Sequence, residues 1–187
     1  MAISEFNLAQ HQRAARKLLI TVAEWEDPNG TINVTEGTST IKVNREILGR
    51  RTEDSSIEYN ADIETTTDIL GINYTDINKT QPQQDFDPYL ILGGSKLGAK
   101  LNDIRKRNAL TELNQFTLYI ITAYIGNSSD GYEAERHVNC TITYNSLGGD
   151  ANVNMPISAY FSNESETGTV DKLSDDFVFQ SDNSTNI

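Results

Sequence analysis

The chain holds few groups able to do chemistry on a small molecule. Its imidazoles are His11 and His137 and its one thiol is Cys140, so any imidazole base or thiol nucleophile must come from these. His11 lies in a polar N-terminal stretch, and His137 begins a polar strand face, which predicts a surface position. A hydrolytic triad needs nucleophile, base and orienting acid together, and neither histidine is placed for that. His137 and Cys140 stand three residues apart, a spacing that on a regular strand sends them to opposite faces and argues against a shared metal. Cys140 falls on the apolar phase of its strand and is expected to be a buried thiol. Gly93-Gly94-Ser95-Lys96 before a helix resembles an anion-holding turn, but it lacks the P-loop and dinucleotide spacings and reads as a helix entry. Asp85-Phe86-Asp87 and Ser128-Ser129-Asp130-Gly131 offer oxygens without the periodicity of a calcium loop and read as turns. No cofactor and no metal is expected.

The carboxylates form a more unusual set. Between Glu53 and Asp87 nine acids face one cation, Lys79. Within that stretch Ser56 to Asp68 alternates Ile57, Tyr59, Ala61 and Ile63 with Glu58, Asn60, Asp62 and Glu64, which predicts one strand with an apolar face on a core and an acidic face outside. Exposed strands ordinarily mix signs and favour Lys. A glycosidase needs two acids facing each other across a sugar, which one strand cannot supply. A calcium site fails as well, since Glu58 and Asp62 are roughly 13 Å apart at strand rise. Repulsion of an anion is the reading that remains beside plain solvated surface.

Charge and length narrow the classes. The chain has 187 residues and a formal net charge of −12, with a pI near 4.5, which opposes non-specific binding to nucleic acid or an anionic membrane. No apolar run is long enough to cross a bilayer as a helix, and Met1 to Gln12 is polar where a secretion signal is apolar. A single domain over 1–187 is expected, with an N-terminal arm at 1–17 and a flexible C-terminal tail at 181–187. Eight Asn-X-Ser/Thr sequons, at Asn29, Asn33, Asn73, Asn78, Asn127, Asn139, Asn163 and Asn183, reflect a chain rich in small polar residues.

The elements that would position these groups are mainly strands. Ser4 to Lys17 could form a short helix with a thin apolar stripe. Leu18 to Trp25, the turn Asp27-Pro28-Asn29-Gly30 and the return Ile32 and Val34 read as a hairpin. Thr40 to Ile47, Thr67 to Tyr74, Val138 to Tyr144 and Ala151 to Ala159 alternate as strands, the last two joined by a turn at Gly148-Gly149. Phe116 to Ile125 is apolar on both faces and predicts a strand covered on both sides. Lys79 to Tyr89 reads as a loop. Ser95 caps a helix over about residues 95–107, with Leu97, Leu101 and Ile104 on one face. Its Arg105, Lys106 and Arg107 either meet acid on a neighbour or complement the helix dipole in solvent.

The order of these phrases carries a resemblance. Leu48-Gly49-Arg50-Arg51-Thr52-Glu53-Asp54, Glu58-Tyr59-Asn60-Ala61-Asp62-Ile63-Glu64, Asp68-Ile69-Leu70-Gly71-Ile72, Asp87-Pro88-Tyr89, the Ser95-capped helix, Gly148-Gly149-Asp150 and Thr167-Gly168-Thr169 together resemble a major tail tube protein of tailed bacteriophages. The resemblance implies a β-sandwich or barrel-like domain with one flanking helix that contributes strands to an oligomeric lumen β-barrel. It implies a structural virion protein of the phage tail, assembled in the host cytoplasm, and not an enzyme. Six copies would form a ring and rings would stack into a tube for DNA ejection. The partners would be the chain itself, the tape measure, tail terminator and distal tail proteins, a sheath in contractile tails, and DNA in transit without specific binding. Glu58, Asn60, Asp62 and Glu64 would face the lumen, while Arg50, Arg51, Arg105, Lys106 and Arg107 would serve contacts between rings or subunits. The alternatives are the tube protein of a contractile bacteriocin and, in another class, a carbohydrate- or host-surface-binding β-sandwich module whose tyrosines would stack on sugars.

Overall fold

The structure, a computed structural model, describes residues 7–36, 38–52 and 55–182. It is mainly β, as expected, with one α-helix. The strands are β1 (Leu19–Glu26), β2 (Ile32–Glu36), β3 (Ser39–Ile47), β4 (Ile57–Glu58), β5 (Asp62–Thr67), β6 (Asn73–Lys79) and β7 (Gln83–Phe86). After the helix α1 (Lys96–Arg107) come β8 (Phe116–Asn127), β9 (Gly131–Tyr144), β10 (Ile157–Tyr160), β11 (Ser165–Val170) and β12 (Phe179–Ser181). One antiparallel sheet runs β2-β3-β1-β8-β9-β10-β7-β4, with β11 on the first part of β9 and β12 on β11. β5 and β6 form a separate two-stranded ribbon.

The double-faced apolar strand organises the body. Leu118 and Ile120 of β8 enter one core with Trp25, Phe86, Phe116, Ile142, Met155 and Ile157, while Tyr119 and Ile121 enter a second with Val22, Ala134, Val170 and Phe177. Helix α1 lids the first core with Leu97, Leu101 and Ile104, all fully buried. Its start and stop match the sequence: Ser95 Oγ accepts from Gly98 N at 3.0 Å, and Asn108 closes the C-terminus in the left-handed region. The second core holds an ion pair. Arg45 Nε donates to Glu24 at 2.5 Å with both side chains buried, Tyr119 Oη donates to Glu24 at 3.2 Å, and the guanidinium lies 4.1 Å from the Phe177 ring centroid.

Several sequence expectations are corrected. β1 and β2 do not pair as a hairpin, because β3 lies between them; the turn itself forms, with Gly30 N donating to Asp27 O at 2.8 Å. Residues 7–15 are not helical, and a single 3-10 turn, Arg16–Leu18, precedes β1. The segment expected to be a loop contains β7, whose Phe86 is a core residue. The Gly148 turn is wider than a tight hairpin, since only Ile157–Tyr160 is strand and Gly148 bridges Asn154. His137 is buried, not on the surface. Asn139 takes a left-handed φ of 56°, where the β8–β9 register shifts, and this bulge turns His137 and Cys140 to the same side.

Candidate functional site

The acidic alternation is broken into two elements. β4 pairs β7 through Ile57–Gln84 and Glu58–Gln83, after which Asn60 adopts a positive φ of 41° and donates from Nδ2 to Gln81 O at 3.2 Å. The chain then re-enters strand at Asp62 as β5, so the ribbon continues the β4–β7 pair through a kink. Among the expected apolar residues Ile57 packs on the core, but Tyr59, Ala61 and Ile63 are exposed. The expectation that all four face the subunit's own core is overturned.

Pairing in the ribbon assigns its faces. Ile63 opposes Ile77, Thr65 opposes Thr75 and Thr67 opposes Asn73, which places them on one face. Glu64 opposes Asp76 and Thr66 opposes Tyr74 on the other, and Asp62, which alternates with Ile63 onto the face of Glu64, lies opposite Lys79 where the register shifts. Every residue of both strands is exposed. Directly opposed like charges weaken a pair, so Glu64 and Asp76 do not serve the ribbon's own stability. β-Branched Thr65, Thr66, Thr67 and Thr75 suit an extended backbone, and the Thr67 hydroxyl donates to Asn73 Oδ1 at 2.7 Å.

Of the residues singled out in the sequence, Asp62 and Glu64 therefore share a face and gain Asp76, which sequence reading missed. The strand was expected to run Thr67 to Tyr74; instead residues 68–72 form the turn, and β6 begins at Asn73. The signal was present, since Asp opening and Gly within a short run is turn chemistry. Glu58 and Asn60 sit apart, at the sheet edge and the kink.

The basic residues fall in two places. Arg50 and Arg51 are exposed in a turn after β3, where Thr52 N donates to Gly49 O at 3.2 Å. Arg105 and Lys106 are exposed at the end of α1, Arg105 donating to Asn102 at 3.0 Å. Arg107 is spent within the subunit, on Asp103 at 2.7 Å and Glu112 at 2.8 Å. Hydrogen bonds from Arg107 and then Lys100 hold the Glu112 carboxyl down to about 2.

The remaining chemical candidates are accounted for by internal bonds. The entry to α1 already holds an anion of the chain itself: Glu46 accepts from Leu97 N at 2.9 Å, from Ser95 Oγ at 2.9 Å and from the Tyr89 hydroxyl at 2.9 Å. His137 donates from Nδ1 to Ser162 O at 2.9 Å. The Cys140 thiol, pushed up by burial, donates to His137 O at 3.3 Å. Tyr89 and Tyr119 are buried and bound to carboxylates, which removes them as sugar platforms. Among the described residues no group of three or more His, Cys, Asp or Glu is placed to hold a metal.

No protein-family model and no curated protein matches the chain. Two solved assemblies contain similar chains. One is the tube-terminating cap of the anti-feeding prophage, at 14% identity over 90% of this chain and 99% of that one, with a TM-score of 0.46. The other is the baseplate of the same particle, at 9% identity over 89% of this chain and 100% of that one, with a TM-score of 0.43. Both are distant likenesses, and the function proposed below rests on the ribbon and not on them.

Proposed function

We infer that the chain is a self-assembling structural subunit of a phage-tail-type tube, in which six copies close a ring and rings stack around a lumen. The observation that carries this reading is the β5–β6 ribbon. A lone two-stranded ribbon is marginal in water; this one stands off the body, with Ile63 and Ile77 among threonines on one face and three carboxylates against Lys79 on the other, and neither face is covered by its own subunit. A ring of copies gives both faces a purpose. Neighbouring ribbons pair their free edges, so that closure removes the edges. Ile63 and Ile77 then pack against adjoining bodies, and Asp62, Glu64 and Asp76 turn inward.

An inward carboxylate wall repels phosphate within a Debye length of about 8 Å at physiological salt, so DNA crosses it without adhering. The chain's role is assembly and passage, with the tape measure, terminator and distal tail proteins as further partners and the virion tail as its location. The tube of a contractile injection particle is the same reading with a sheath around it. Electron micrographs of the purified chain at high concentration test it: rings or tubes are expected, and monodisperse monomer would overturn it.

A further inference from the structure

The turn that closes the ribbon carries large aliphatic side chains where turns are ordinarily polar. Ile69 is fully exposed and Leu70 is 78% exposed. The turn is nevertheless fixed. Asp68 Oδ1 accepts from Leu70 N at 2.8 Å and Ile72 N at 2.9 Å, and Gly71 N donates to Asp68 O at 3.1 Å. The backbone donors, with the Tyr74 hydroxyl at 3.3 Å, hold the Asp68 carboxyl below its ordinary range. A preorganised apolar knob gives up little freedom on binding. Its socket needs apolar walls and no like charge beside Asp68.

Four surface cavities differ in this respect. The largest of these, about 460 Å³ beside α1, has Glu24, Glu26 and Glu112 in its lining together with Lys100 and Arg136. A second at the helix entry contains Glu46 and Asp175 beside Arg45, Arg50 and Lys96, and a third at β4–β7 contains Glu58 and Asp85. The fourth, about 280 Å³, is lined by Leu19, Leu48 and Phe86 with uncharged Thr21, Thr52, Ser55 and Gln84, has Arg16 and Lys17 as its charges, and has no carboxylate among its described lining. Arg16 is tied to Ser55 O at 3.0 Å, which fixes that rim. Lys17 is exposed and makes no hydrogen bond or ion pair among the described residues.

We propose that the Ile69–Leu70 tip of one copy seats in the Arg16–Lys17 cleft of a second copy, a contact that rests on the tube reading and names how one ring grips the next. The cleft lies at the base of the ribbon, on Ser55, Gln84 and Phe86, while the tip closes the ribbon's far end with Ile69 fully exposed. The tip of a subunit therefore does not fill its own cleft. A contact between two different patches is heterologous and adds copy to copy in one direction, which is the connection that stacking requires. Opposite charge, Asp68 against Lys17, orients the docking.

Cysteine pairing tests the contact in the full chain. The native Cys140 is buried, so thiols introduced by Leu70→Cys and Lys17→Cys are expected to react without background. Under mild oxidation the doubly substituted chain should give a reducible ladder of linked chains on a denaturing gel, and each single variant at most a dimer. Particles in micrographs without a ladder would overturn the tip contact and leave the tube reading standing. Monomer alone from the unsubstituted chain would overturn the tube reading itself. A second variant, Ile69→Ser with Leu70→Ser, changes exposed side chains, so Tm should hold while the concentration needed for particles rises at least tenfold. An unchanged concentration overturns the proposal.

Discussion

At the residue scale the most consequential side chain is one with no part in assembly. Arg45 is buried with Glu24, donates from Nη1 to Phe177 O at 2.5 Å and lies over two aromatic rings. Removing one member of such a pair strands a charge in the interior. Arg45→Ala is expected to cost about 3–5 kcal/mol, read as a lower urea midpoint, and the double change Glu24→Leu with Arg45→Met should recover part of that loss. A cost under about 1 kcal/mol for Arg45→Ala would mean that water reaches the pair. Arg45 was legible as an inward position, since it shares the phase of Ile41 and Val43; its acid partner was not, because strand pairing is a long-range choice that puts Glu24 opposite Arg45 through β1–β3. His137 shows the converse. Local alternation placed it outside, and a one-residue bulge at Asn139, set by the register of the neighbouring strand, brought it in.

At the element scale α1 and β8 were readable because their signals are local: a capping serine with an i, i+4, i+7 stripe, and an apolar run on both phases. The ribbon was readable in chemistry and not in shape. Its alternation marks strand, but period two says nothing about whether the apolar phase meets the subunit's own core or another copy. That distinction gives the ribbon's prediction. Ile63→Asp with Ile77→Asp changes exposed positions, so the stability of the isolated subunit should move by no more than about 0.5 kcal/mol, while ring formation is lost on a sizing column and in micrographs. Changing Asp62, Glu64 and Asp76 to Lys should instead leave rings intact and impair DNA ejection. If the Ile variants assemble normally, or the Lys variants eject normally, the two faces have been assigned to the wrong surroundings.

At the scale of the whole molecule a charge of −12 per copy acts against the proposed assembly. Stacking copies around a lumen concentrates like charge, and the self-repulsion grows with each added subunit. Screening sets its reach, from about 30 Å at 0.01 M ionic strength to about 8 Å at 0.15 M. Local pairs of opposite sign, such as Lys17 with Asp68 of the next copy, weaken over the same range, but they are few beside the net charge of the chain. The sign follows: the concentration at which particles form should fall as salt rises from about 10 to 150 mM, followed by light scattering or sedimentation at fixed pH. Assembly that weakens with salt would reverse the balance, making the cations of Arg50, Arg51, Arg105 and Lys106 on neighbouring acids the dominant contacts, and the apolar face of the ribbon a secondary one.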